Sequence, residues 1–408
     1  MNRTVGFAVL LVLAGAIVFS AYLAVADAEF ARGTPESVAR AAQLRPGNTR
    51  YLMLRALHLD YDGADSTPLL EKIAVLNPMS SAPRIRLGLA AELRGDPVAA
   101  EHWLLSAARV DRQFEPSWTL ANFYFRQNRV DDFWTAMRQA LEVSYGDRTP
   151  AFELCWRMAS EPGEVLNRVF SGEFAQKDDV ASAYLHYLLD RYNASLSSTP
   201  KDPPETAAIE QAAVQLARFA SKKDPQVLYA ICDLLMDRAR WQGAKMLWTS
   251  LGNAEPRGIF NGEFHEMPGA AKGHGFDWRW EPGEGVLHLP LDGSGHRVTL
   301  NGKQAEHVAL LWQFATVEKG RKYELRWTTR TANLPSPAGL RWEVEGASAA
   351  IETSNDWKQQ SVQMTAASNA VRVALVYQRP QGWARAEGWV DVQSIALTPA
   401  GETTSSPK

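Results

Sequence analysis

Cysteine is nearly absent: there are two in 408 residues, Cys155 and Cys232, each inside an apolar helical run (FELCWRM and LYAICDLLM). A disulfide framework is thereby excluded, and neither the spacing nor the 8 histidines supports a Cys/His zinc site. The two thiols are expected to be buried as small hydrophobes, with a single bridge between helices as the alternative. An excess of one charge is lacking too, since 43 Lys and Arg stand against 46 Asp and Glu for a net charge of -3. No field gathers phosphates, which disfavours nucleic acid as a partner. Catalytic signatures are missing as well: there is no Gly-x-Ser-x-Gly, no His-Glu-x-x-His, no phosphate loop and no dinucleotide fingerprint. No motif singles out a carboxylate pair for glycoside hydrolysis. The expectation is a protein that is not an enzyme.

One long apolar run is present, from Val5 to Ala26, with no ionisable side chain and only Ser20 and Tyr22 as mildly polar residues. About 20 such residues cross a hydrocarbon core as a helix. The run exceeds the usual ~7–15 residues of a signal-peptide core, so residues 1–27 are read as an uncleaved signal anchor. The bulk of the chain is then exported, on the periplasmic side of the inner membrane. The alternative is a secreted protein cleaved at about Ala26, where Ala24-Val25-Ala26 fits a small-x-small site.

Residues 30–252 carry a helical period that repeats. Gly88 aligns with Ala121, Gly95 with Asn128, Leu104 with Met137 and Ala107 with Ala140, each pair 33 residues apart. This resembles the tetratricopeptide repeat, a helix pair of about 34 residues. A small residue at Gly88 and Ala121 lets paired helices approach, while Gly95 and Asn128 suit a left-handed turn. Pro46 and Pro78 end two further units, and DPQVLYAICDLLMDRARWQGAKMLWTSLG outlines another. A solenoid of this kind grips a protein partner, and Trp118, Tyr124, Phe125 and Trp134 either line its concave face or form inter-helix core. The stretch Ser195–Pro204 reads as an exposed loop.

Past Gly252 the period becomes alternating, and about eight short strands run from residue 257 to 399, followed by a disordered tail at 400–408. Phe260-Asn261-Gly262-Glu263-Phe264 with Gly275-Phe276-Asp277-Trp278 resembles the opening of exported carbohydrate-binding modules built on a galactose-binding-like β-sandwich. Gln313–Gly320 with Tyr323-Glu324-Leu325, Trp357 before Gln360-Ser361-Val362, and Val390–Leu397 are similar to later strands of that family. The fold expected is multidomain: an all-α tetratricopeptide-like solenoid, then an all-β sandwich or jelly roll, with one N-terminal transmembrane helix.

The resemblance implies a glycan-binding sandwich and a structural calcium. His265 stands where the family often has Glu and argues against that ion, leaving Glu263, Glu266 and Asp391 as candidate calcium donors. Eight of the 14 tryptophans lie in this half. Trp327 and Trp342 alternate in phase with apolar neighbours and are expected in the core; the resemblance assigns Trp357 there too. Loop-placed Trp280 and Trp383, with Arg379 and Arg385 beside the latter, form the candidate glycan patch. His265, His274, His288, His296 and His307 are expected to be solvated. The function expected is a membrane-anchored scaffold in envelope or exopolysaccharide assembly. The alternatives are a protein adaptor whose sandwich binds no sugar, and a glycan hydrolase.

Overall fold

The computed structural model describes residues 3–171, 177–196, 205–265, 273–280 and 283–401. Among them fourteen helices precede nine strands, and the chain divides into two compact units, Met1–Phe174 and Ala175–Lys408. The stretches 197–204 and 402–408, expected as loop and tail, lie outside the described residues, as does Glu266.

The first unit opens with α1 (Arg3–Arg32) and α2 (Pro35–Leu44). Three helix hairpins follow: α3 (Thr49–Tyr61) with α4 (Thr67–Leu76), α5 (Ala82–Leu93) with α6 (Pro97–Val110), and α7 (Phe114–Arg126) with α8 (Val130–Val143). Capping fixes several starts. The Asn48 side chain accepts from Arg50 and Tyr51 N–H at the head of α3, and Asp96 accepts from Ala99 N–H at 2.9 Å before Pro97. Gly95 and Asn128 occupy the left-handed region, φ +79 and +54, at matching hairpin turns. A Cβ on Gly88 would lie 2.7 Å from Leu104 Cγ, so only glycine lets α5 and α6 come this close. Leu104, Ala107, Met137 and Ala140 are all fully buried. Tyr124 and Trp134 are buried too, with Trp134 edge-on to Phe133 at 4.9 Å, so these aromatics are inter-helix core and not an open concave face. Short helices α9 (Thr149–Met158) and α10 (Pro162–Val169) close the unit.

Helix α1 has two parts. Its N-terminal side chains are exposed from Phe7 to Phe19, and the helix is long and apolar enough to cross a membrane, with a mean hydropathy of 2.5 over its most apolar window. Its last turns belong to the first core: Ala26 is fully buried among Ala41, Tyr51 and Leu52, and Phe30 stacks on Tyr51 at 4.6 Å.

The second unit begins with α11 (Asp178–Leu196), α12 (Glu205–Lys223), α13 (Pro225–Asp237) and α14 (Trp241–Ser250). Two antiparallel sheets follow. One is five-stranded, ordered β1 (Val286–Pro290), β2 (His296–Asn301), β9 (Glu387–Pro399), β4 (Lys322–Ala332), β7 (Lys358–Thr365). The other is four-stranded, ordered β3 (His307–Thr316), β8 (Ala370–Gln378), β5 (Leu340–Val344), β6 (Ala347–Ala350). Alternation places Val298, Leu300, Leu325, Trp327, Val390 and Val392 of the first sheet in one core with Trp342, Val373, Leu375 and Tyr377 of the second.

The opening stretch joins helices to sandwich inside this unit. Gln313 is fully buried on β3 and brackets Phe260, accepting from its N–H at 2.9 Å and donating to its carbonyl at 3.0 Å. Gly262 sits where a Cβ would collide with the Ile395 carbonyl, and Ile395 N–H donates back to Gly262 O at 2.8 Å. On the helical side, Asp233 of α13 accepts from His274 Nδ1 at 2.7 Å, Gly275 N–H at 2.7 Å and Arg279 Nη2 at 2.5 Å.

Candidate functional site

Opposite the core, the five-stranded sheet turns a second face outward. On β9, Trp389 and Asp391 alternate with the inward Val390 and Val392; on β2, Arg297 and Thr299 alternate with Val298 and Leu300. Register then fixes a row. Arg297 faces Asp391 across β2 and β9, Asp391 faces Arg330 across β9 and β4, and Thr299 faces Trp389.

Asp391 has no exposed surface although it points away from the apolar core. Arg297 covers it side-on, with Nε donating to Oδ1 at 2.6 Å and Nη2 to Oδ2 at 2.9 Å, and Arg330 Nε donates to Oδ2 at 2.9 Å. A bidentate pair plus a third charge-assisted bond holds both guanidinium groups in place. They are also stacked: Arg297 lies 4.0 Å from the centroid of Trp389, and Arg330 lies 4.6 Å from Trp357 and 5.6 Å from Trp389. The result is an alternating indole and guanidinium ladder, Arg297, Trp389, Arg330, Trp357, anchored on one carboxylate.

Trp357, assigned to the core by resemblance, is instead 37% exposed at the end of this ladder. It lies one residue before β7, outside any strand alternation that would have turned it inward. Sequence reasoning also missed Trp389, Arg297 and Arg330 as a group. Their signal was readable in part, since Trp389 and Asp391 are out of phase with Val390 and Val392.

The loop patch expected from sequence is brought together only in part. Arg379, Trp383 and Arg385 gather around Glu306, which lies 3.0 Å from Arg379 Nη2 and 3.8 Å from Arg385 Nη2, while Arg379 Nη1 donates to the Trp383 carbonyl at 3.2 Å. Trp383 is 45% exposed. Trp280 is elsewhere in the fold. It stacks on His288 at 4.9 Å, and His288 on His296 at 5.2 Å, His296 on Phe264 at 5.8 Å and Phe264 on Trp278 at 5.1 Å, a ring column packed against the core. One face of Trp280 is thus packed on His288, and the residue is partly buried against the core.

That column corrects the expectation of solvated histidines for His288 and His296. His296 is buried, and His288 Nδ1 meets His296 Nε2 at 2.9 Å. Burial pushes His288 down to about 4; burial and then the neighbouring His288 push His296 down to about 3. Both rings are therefore neutral near pH 7.

Two of the three candidate calcium donors, Asp391 and Glu263, are engaged with other side chains. Both Asp391 oxygens accept from guanidinium groups, and a divalent cation there would face two fixed positive charges. Glu263 pairs with His265 Nε2 at 2.8 Å on the surface. Glu266 lies outside the described residues, and among those described no group of three or more His, Cys, Asp and Glu side chains is placed to hold a metal. Cys155 and Cys232 are free and buried, in different units, with burial pushing the Cys232 thiol up to about 12.

No family model matches the chain, and no curated protein matches it. Among solved structures it is similar to one described as "CBM4 structure and function", at 11% identity and a TM-score of 0.28 over 35% of this chain and 99% of that one. It is similar to the CBM22-1 xylan-binding domain of Paenibacillus barcinonensis Xyn10C, at 13% identity and a TM-score of 0.23 over 37% of this chain and 100% of that one. A third is the apo CBM1 of BiXyn10A, at 14% identity and a TM-score of 0.22 over 31% of this chain and 93% of that one.

Proposed function

We propose that the protein is a membrane-anchored scaffold, not a catalyst, whose sandwich binds a polysaccharide along the outward face of its five-stranded sheet. The helix hairpins of the first unit, read as a tetratricopeptide-like solenoid, take a protein partner in envelope or exopolysaccharide assembly. One observation carries the glycan reading: two tryptophans and two arginines form a rigid row on a sheet face turned to solvent, where they add nothing to the core. Indole faces stack on the C–H faces of sugar rings, and guanidinium edges bind ring substituents. Fixing these side chains before the ligand arrives lowers the ordering cost of binding. The loop cluster around Trp383 offers a second exposed indole on the β8–β9 connection.

Affinity electrophoresis of the full chain in detergent, against a wide polysaccharide panel, tests the proposal. At least one polymer is expected to retard the wild type, and Trp357→Ala is expected to weaken that retention at least tenfold, about 1.4 kcal/mol, with an unchanged unfolding midpoint. Retention lost in Trp383→Ala but kept in Trp357→Ala would move the site to the loop cluster. Retardation by no polymer sinks the glycan reading and leaves a protein adaptor. Release of reducing sugar from any polymer overturns the non-catalytic reading.

A further inference from the structure

The chemistry of the ladder selects a class of glycan, and this step rests on the glycan reading just given. We infer that the ligand is a carboxylate-bearing polysaccharide, one containing uronic acids or similarly substituted sugars, and that Arg330 receives its carboxylate.

The inference follows from how Arg330 is held. Its Nε is spent on Asp391 Oδ2. Its guanidinium carbon lies 4.6 Å from the ring centroid of Trp357 and 5.6 Å from that of Trp389. Neither Nη1 nor Nη2 donates to any described residue, and the side chain keeps 35% of its surface. The terminal Nη edge of this guanidinium, without a described partner, presents two parallel N–H donors in one plane. That geometry matches the two oxygens of a carboxylate. Arg297 is the lesser candidate: Asp391 holds it side-on through both Nε and Nη2, and it keeps 29% of its surface against 35% for Arg330.

Charge points the same way. Asp391 is the one carboxylate between the two arginines, so the ladder keeps a single net positive charge. The next arginine along β4, Arg326, is neutralised by Glu324 at 2.5 Å. A neutral sugar hydroxyl both donates and accepts, yet Asp391 has given its oxygens to the guanidinium groups. The buried carboxylate offers a ligand no acceptor, while the open groups beside it are N–H donors, which suits an anion.

The test compares polygalacturonate with the same polymer after carboxyl reduction, by affinity electrophoresis and calorimetry on the full chain in detergent, with dextran sulfate as a third arm. Polygalacturonate is expected to bind at least tenfold tighter than its reduced form, and to weaken as salt rises. Arg330→Lys, which keeps the charge and loses the fork, and Arg330→Gln are both expected to erase most of that preference. Trp357→Ala is expected to weaken both polymers together. Equal binding of the reduced polymer overturns the inference while leaving the glycan reading intact, and binding of neither form nor of any neutral polymer sinks both. Dextran sulfate binding as tightly as polygalacturonate, or Arg330→Lys behaving as wild type, overturns carboxylate recognition in favour of bare charge. Should Arg330→Gln lower the unfolding midpoint, Arg330→Lys and the reduced polymer still decide the matter.

Discussion

Arg330 and Asp391 face each other across β4 and β9, and the Arg330 Nε donates to Asp391 Oδ2 at 2.9 Å beneath the plane of Trp389. The carboxylate is completely buried, while the arginines it serves keep about a third of their surface. Removing the negative partner leaves two guanidinium groups crowded together without a countercharge. Loss of one member of a buried pair costs about 3–5 kcal/mol, and partial exposure of the arginines places this case near the lower figure. Asp391→Asn is expected to lower the unfolding free energy by about 3 kcal/mol, read by urea titration. A variant within about 0.5 kcal/mol of wild type would show the cluster to be a surface network of little consequence.

Gly88 lies within α5, seven residues before Gly95 at the turn of the same hairpin, yet the two are glycine for different reasons. A Cβ at Gly88 would meet Leu104 Cγ at 2.7 Å and the Ala100 carbonyl at 3.2 Å, inside a packed helix pair. At Gly95 there is open space but φ is +79. Gly88→Val is expected to cost about 2–3 kcal/mol through overpacking, and Gly95→Ala about 1 kcal/mol through backbone strain alone. Circular-dichroism melts of the two variants rank them, and the reverse order would refute the close approach of α5 and α6.

Much of this architecture was legible because it is periodic. The αL turns at Gly95 and Asn128, the buried stripe of Leu104, Ala107, Met137 and Ala140, and the inward Trp327 and Trp342 all follow from spacing within one segment. What escaped depends on pairing between segments. β1 is weakly marked in the sequence, since VLHLP carries a histidine and ends in proline, and its identity as a strand comes from its register with β2. The ring column needs Trp280, His288, His296 and Phe264 from separate segments to meet. The ladder likewise needs Arg297, Trp389 and Arg330 on three neighbouring strands in one register. Within single strands the alternation marks Trp389 and Arg297 as outward, out of phase with their apolar neighbours.

The buried histidine pair makes acid sensitivity calculable in sign. Each ring has an unfolded value near 6.5 and a folded value held lower, about 4 for His288 and about 3 for His296. As pH falls below 6.5 the unfolded chain takes up protons that the folded chain refuses. Their stabilising contribution is thus complete above about 6.5 and is lost as pH falls towards 4 and then 3, by about 1.4 kcal/mol per pH unit for each proton. Unfolding midpoints of the second unit are expected to decline between pH 6.5 and 5, before most carboxylates titrate. In the double variant His288→Phe, His296→Phe that slope is expected to flatten, and a slope unchanged by the double substitution would place the acid response elsewhere.

The last turns of α1 belong to the first core, so the chain is expected to keep this helix. Cleavage after Ala26 would remove Tyr22, whose hydroxyl donates to the Leu44 carbonyl, and Ala26, which is fully buried against Ala41 and Tyr51. It would also place a new α-ammonium on Asp27, whose carboxylate accepts from the Tyr51 hydroxyl and lies 3.8 Å from Arg45. One hydrogen bond and one buried methyl are worth about 1 kcal/mol each, a substantial loss for a single helix end. Intact-mass analysis of the protein extracted from membranes is expected to find residues 1–26 present. A chain expressed from Asp27 is expected to unfold its first unit several degrees lower than the full chain. A native N-terminus at Asp27, or identical melts for the two forms, would show that α1 ends its service at export and that the first hairpin stands without it.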